Sequence, residues 1–196
     1  MTSATKITLP VGVARYPALV YPDKKFHTPG IYKANVAVPA EEAEGIITKL
    51  QAIAKEHLGK ALPKSKNSMW EFEVDDEGNE TNMVLFKCSI KNHERKNGEL
   101  WDRKPVQYDS QNNIVSYNVW GGTEMRVACE VYVWEWSGKK GISLQPYAVQ
   151  ILNLVQGGDS GESPFGAEEG GFVGDPGSSF PANDDVPDDI EEVDDF

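Results

Sequence analysis

Residues 124–155 read EMRVACEVYVWEWSGKKGISLQPYAVQILNLV. The first thirteen alternate. Val127, Cys129, Val131 and Val133 fall on one face, and Arg126, Tyr132, Trp134 and Trp136 fall on the other. Alternation with period two marks a half-buried strand, because successive side chains of extended chain point to opposite sides. Residues 142–155 form a second long strand, and SGKKG (137–141) is read as the hairpin turn between them.

Working outward, the same period recurs. GIYKANVAV (30–38) places Tyr32, Ala34, Val36 and Val38 together and leaves Lys33 and Asn35 opposite. MWEFEV (69–74) groups Trp70, Phe72 and Val74. NMVLFKCSIK (82–91) groups Val84, Phe86, Cys88 and Ile90, with Lys87, Ser89 and Lys91 facing the other way. The opening KITLPVGVARYPALVY is a strand interrupted by Pro10 and Pro17, which predicts an edge or a bend. One helix stands out in PAEEAEGIITKLQAIAKEHLGK. Ala43, Ile46, Ile47, Leu50, Ile53, Ala54 and Leu58 recur at helical spacing, acids fill the first turn and Gly59 ends it. His57 in the last turn is a surface residue favoured by the helix dipole. Five or more closely spaced strands with one inserted α-helix predict a mainly β protein, a five-stranded Greek-key barrel of OB type.

The chain has 196 residues and a net charge of −12, unevenly distributed. All 19 Lys and Arg precede residue 157, whereas 13 of the 31 acids follow it, so the body is close to neutral. Residues 157–196 are rich in Gly, Ser, Pro and acid and lack any period. They cannot bury enough apolar surface to offset their ordering entropy, and are read as a disordered tail. The tail ends DDVPDDIEEVDDF, eight carboxylates in thirteen residues closed by an aromatic, Phe196. The domain division is therefore 1–156 for the barrel and 157–196 for the tail.

Catalytic signatures are not found. There is no phosphate-cradling glycine loop, no nucleophile elbow and no histidine pair at metal spacing. Gly121-Gly122 reads as a bend at a barrel corner. Cys88 and Cys129 point to the core as inert thiols. No catalytic residue, metal or cofactor is expected, and no segment has the length or apolarity of a membrane span. The chain reads as cytosolic.

A binding surface remains. KCSIKNHERKNGELWDRK (87–104) carries six bases, Lys87, Lys91, Arg95, Lys96, Arg103 and Lys104, against three acids, with Trp101 among them. Arg126, Tyr132 and Trp134 repeat the mixture on another strand, and Lys33 lies on an outward face. Outward lysines can be merely solvated, and Trp134 and Trp136 could sit in a dimer interface. The combination of basic and aromatic residues suits a single nucleic-acid strand: cations follow the phosphates while rings stack on unpaired bases. A pure adaptor or an acidic DNA mimic is the alternative, and the near-neutral body fits it poorly. A metal-dependent enzyme is a third class, disfavoured by the missing ligand cluster.

GVARYPALVYPD, GIYKANVAVP, LFKCSIK, residues 121–155 and the terminal DDF, in this order, resemble the single-stranded DNA-binding proteins of T7-like bacteriophages and related phage families. The resemblance implies an OB-fold core, a homodimer and sequence-independent binding of single-stranded DNA. It implies a role in phage replication, recombination and strand annealing within the cytoplasm of an infected bacterial host. It also implies that the tail, here Asp188, Asp189, Glu191, Glu192, Asp194, Asp195 and Phe196, contacts the phage DNA polymerase and helicase-primase. The terminal role carries over to Phe196, and among DNA contacts only Lys87, within FKC, carries over. The segments between the helix and Trp70 and around residues 92–118 depart from the longer family members.

Overall fold

The computed structural model describes residues 5–75 and 77–155. In chain order the elements begin with β1 (Thr5–Thr8), β2 (Gly12–Ala14), β3 (Ala18–Asp23), β4 (Ile31–Lys33) and β5 (Val36–Pro39). The helix α1 (Ala40–Leu58) follows, then β6 (Trp70–Val74), β7 (Glu80–Phe86) and β8 (Ser89–Lys91). Next come the short β9 (His93–Glu94), β10 (Leu100–Trp101), β11 (Val106–Tyr108) and β12 (Ile114–Val115), and then the long β13 (Glu124–Trp136) and β14 (Lys139–Asn153).

Several of these segments are halves of one bent strand. β2 and β3 form the first barrel strand, broken at Tyr16-Pro17, where Tyr16 has a positive φ of 49°. β4 and β5 form the second, β7 and β8 the third, and β13 and β14 the fourth and fifth. The first, second and third strands pair antiparallel in succession. The fourth pairs antiparallel with the first and the fifth. A parallel bridge between Cys88 and Leu144 joins the third strand to the fifth. The order first, second, third, fifth, fourth and back to first is that of a closed five-stranded OB barrel.

The bends have a local cause. The second and third strands turn at the same level, where Asn35 Oδ1 accepts the Cys88 N–H at 3.0 Å and Ala34 N–H donates to the Cys88 carbonyl at 2.8 Å. The side chain of Asn35 thus satisfies a backbone donor that the interrupted ladder leaves free. In β14 the pairing jumps from Ala128↔Ala148 to Cys129↔Pro146, so Tyr147 is an extra, bulged residue. The bulge also shifts the buried phase, from Ile142 and Leu144 on one side to Val149 and Ile151 on the other.

The expected inward faces are the core: Tyr32, Ala34, Val36, Val38, Val84, Phe86, Cys88, Ile90, Val127, Cys129 and Val131 are buried, with Trp70 and Met69 capping them. Helix α1 seats Ala43, Leu50 and Ala54 on the barrel, and Gly59, in the left-handed region at φ 70°, ends it by donating to the Lys55 carbonyl at 3.0 Å. Both thiols are buried, and burial together with Cys129 pushes the Cys88 thiol well up, as expected for inert cysteines. Two expectations are corrected. The hairpin turn is only Ser137-Gly138, both at positive φ (50° and 73°), while Lys139, Lys140 and Gly141 continue the ladder as strand. Val74 does not join Trp70 and Phe72 in the core; a register shift after Phe72 carries it past the barrel, and it is 58% exposed.

Candidate nucleic-acid interface

Polypeptides rarely expose large aromatics together, yet four of the five tryptophans here are exposed, only Trp70 being buried. Their placement follows from strand phase and turn chemistry. In β13 Val127, Cys129 and Val131 are buried and Val133 is half-buried, while Tyr132, Trp134 and Trp136 face out. Trp134 pairs across the ladder with Gly141, and a Cβ at 141 would stand 2.0 Å from the indole Cζ2. The indole therefore lies flat over the glycine, and the absence of a side chain at 141 holds its orientation.

A second element stands beside this one. After β8 the chain makes the small hairpin β9–β10, with Arg95 and Lys96 in its turn and Trp101 opposite His93. The guanidinium of Arg103 sits 4.9 Å from the Trp101 ring centroid, a cation-π arrangement, and donates to Gln145 Oε1 at 2.9 Å. Arg103, Tyr132, Trp134, Lys140 and Gln145 line one cleft of about 570 Å³, whose far wall includes Ile53 and His57 of α1.

Buried Asn92 ties these parts together. Its Oδ1 accepts the Arg103 N–H at 2.9 Å, its N–H donates to the Gly30 carbonyl at 3.0 Å, and its own carbonyl lies 2.8 Å from His27 Nε2. The hairpin base and the 24–30 loop are thereby fixed to one another. Beneath them Tyr32 is buried beside Asp102, and burial first, then that carboxylate, push its phenol up to about 12.

The 24–30 loop joins the first and second strands and carries Lys24, Lys25, Phe26 and His27. Phe26 is 80% exposed, with Lys25 Nζ 5.3 Å from its ring centroid. On the adjoining outer face Lys91 lies opposite Ile31, and Lys33 lies opposite Ser89. In OB barrels the face of the second and third strands, with the loops joining first to second and fourth to fifth, is the ligand surface. Lys33, Lys91, the 24–30 loop and the Ser137-Gly138 hairpin occupy those positions here.

The residues singled out from the sequence divide accordingly. Lys91, Arg95, Lys96, Trp101 and Arg103 belong to β8 and the excursion that follows it, and Tyr132 and Trp134 share the cleft with Arg103. Lys33 is on the outer face but pairs with Asp23, whose carboxyl its ammonium holds below the usual range. Three stand apart. Lys87 Nζ is 2.8 Å from Glu71 and donates to the Asn67 carbonyl at 3.1 Å, so its charge is spent on the β6 side. Lys104 reaches Ser116 Oγ at 3.5 Å. Arg126 faces out beside Gln150, eight residues from Trp134 along β13, a distance of about 27 Å at ~3.4 Å per residue. The tail residues Asp188, Asp189, Glu191, Glu192, Asp194, Asp195 and Phe196 lie outside the described residues.

Sequence reasoning passed over Lys24, Lys25, Phe26, His27, His93, Lys139, Lys140 and Gln145. A readable signal existed for the first four: DKKFHTPG is a basic-aromatic run placed between two strands. Among the described residues no cluster of three or more metal-ligating side chains occurs, and no helix is long and apolar enough to cross a membrane.

No protein-family model matches this chain, and no curated protein matches it. Solved structures do share its fold. The single-stranded DNA-binding protein encoded by bacteriophage T7 superposes with a TM-score of 0.58 at 20% identity, covering 88% of this chain and all of that one. The single-stranded DNA-binding protein from bacteriophage Enc34, in complex with single-stranded DNA, gives a TM-score of 0.57 at 14% identity, over 77% of this chain and 88% of that one. Its C-terminal truncation gives 0.57 at 14% identity, over 77% and 87%.

Proposed function

We propose that this protein binds single-stranded DNA without sequence preference. The observation that carries the reading is the pairing of presented aromatics with cations on the ligand face of the barrel: Trp101 beneath Arg103, and Trp134 over Gly141 in the cleft that Arg103 also lines. A flat ring accepts any base, and Lys91, Arg103 and the lysines of the 24–30 loop supply a path for phosphates. The fold shared with two phage single-stranded DNA-binding proteins supports the same conclusion.

Action in phage replication, recombination and strand annealing, and assembly as a homodimer, extend this reading. So does the tail. Its carboxylates imitate the polyanion, compete with DNA for the basic face, and once displaced present Phe196 to the phage DNA polymerase and helicase-primase. Reach does not limit this: an unstructured chain of forty residues spans about 35 Å r.m.s. at ~5–6 Å × √n. The Coulombic competition weakens as salt rises.

The test is a titration of fluorescent oligo-dT, with a duplex control, at several salt concentrations. The full chain is compared with a chain ending at Asn183. The expected result is preference for the single strand, with log K falling by about 0.7 per log unit of salt for each phosphate contacted. Tighter binding by the shortened chain at low salt identifies the tail as competitor. If neither form binds oligo-dT, the DNA reading fails and the adaptor alternative takes its place.

A further inference from the structure

Two of the three histidines meet at the ligand face. The rings of His27 and His93 are 6.2 Å apart, centroid to centroid, in an edge-on arrangement, and His93 lies 6.3 Å from the Trp101 ring. His27 comes from the 24–30 loop and His93 from β9. Asn92 holds them in register, because its carbonyl contacts His27 Nε2 and it directly precedes His93. His93 is exposed, so a ligand can reach it.

The groups around His93 are of one sign. Partial burial first, then Arg103 beyond β10, His27 of the loop and Lys91 of β8, hold it below the ordinary imidazole range. Three neighbouring carboxylates are engaged elsewhere. Asp102 lies against the Tyr32 hydroxyl, Glu99 faces Arg95 at 3.8 Å, and Asp23 pairs with Lys33. Glu94, also of β9, is exposed and forms no salt bridge among the described residues. Three cations or cation-forming side chains thus lie around His93, and no salt bridge in the described residues joins a carboxylate to Lys91, Arg103 or either histidine. Such a site is deficient in one thing, an anion.

We propose that Lys91, His93, Arg103 and His27 form a phosphodiester subsite that takes up a proton when a single strand binds. The proposal rests on the DNA-binding reading and deepens it. A phosphate placed between Arg103 and His93 reverses the local field. It neutralises the cations that kept the imidazole uncharged and gives the imidazolium N–H an anionic acceptor. Bound protein then holds more protons than free protein, so affinity rises as pH falls through the imidazole range. Trp101, beneath Arg103 and beside His93, is placed to stack on the base attached to that phosphate.

The measurement is calorimetry of oligo-dT binding to the full chain at about pH 6.5, in two buffers of unlike ionisation enthalpy, so that the difference in heat counts protons. Uptake of about half a proton or more is expected, with affinity rising about threefold to tenfold between about pH 8 and about pH 6. His93→Gln abolishes most of the uptake, and His27→Gln reduces it. Two results overturn the proposal: binding without proton uptake, or uptake that survives His93→Gln and disappears in His57→Gln. Absence of any oligo-dT binding is a different outcome, since it removes the DNA reading itself.

Discussion

Replacing Trp101 and Trp134 together by alanine is expected to weaken oligo-dT binding by about 2–6 kcal/mol, because each stacked base contributes about 1–3 kcal/mol. The two indoles are unlike in support but alike in consequence. Trp101 is held by a cation above it and an imidazole beside it. Trp134 lies across Gly141, in the space that a side chain there would fill. Both are more than a third exposed, so their removal leaves the core intact, and thermal stability changes by no more than about 1 kcal/mol. The salt dependence of binding stays the same, since no phosphate contact is removed. Competition titration and a thermal melt on the double variant read both quantities. Binding within about twofold of the parent chain would show that the rings do not stack on bases.

The other large effect concerns stability. Trp70→Ala is expected to destabilise the barrel by about 3–5 kcal/mol, the range for truncating a fully buried aromatic. Trp70 has no exposed surface, and its indole N–H donates to the Lys64 carbonyl at 2.9 Å. The turn before it is pinned by Asn67 Oδ1, which accepts the N–H groups of Met69 and Trp70 at 2.8 and 3.1 Å. Truncation therefore opens a cavity and also strands a carbonyl whose partner is gone. Urea unfolding of the variant beside the parent chain measures the loss. A destabilisation under about 1 kcal/mol would mean that the site collapses around the missing ring.

The main ladders were legible because a barrel with one solvated face imposes period two on every long strand. The alternation in 124–136 named the inward residues and the outward aromatics together. The helix was legible for the same reason at period 3.6, and Gly59 marked its end. The excursion from 92 to 118 was not, since strands of two or three residues contain no period to read. Charge was the least legible property. Lys87 looked like Lys91 in sequence, but only the folded chain brings Glu71 to it. Arg126 shared a strand face with Trp134, and the length of that strand separates them. His27 and His93 gave no spacing signal because the second barrel strand, α1, β6 and the third barrel strand lie between them in the chain. The turn was read three residues too long, because Lys139-Lys140-Gly141 has loop-like composition, while the two positive φ angles that make the reversal belong to Ser137 and Gly138 alone.

The barrel wall is uneven in one respect. The fourth and fifth strands share thirteen residue pairs across a two-residue turn, whereas among the described residues the third and fifth share one parallel bridge, Cys88 with Leu144. Bringing those two residues together closes a long loop of chain, an entropic debt that local contacts do not carry. During folding the hairpin is expected to zip before this joint shuts. In the native protein it is also where the wall parts most readily, so amides around the joint should exchange with solvent at lower free energy than those at the middle of the hairpin, as native-state hydrogen exchange can record. Equal protection at both places would mean that the wall opens only when the whole barrel does.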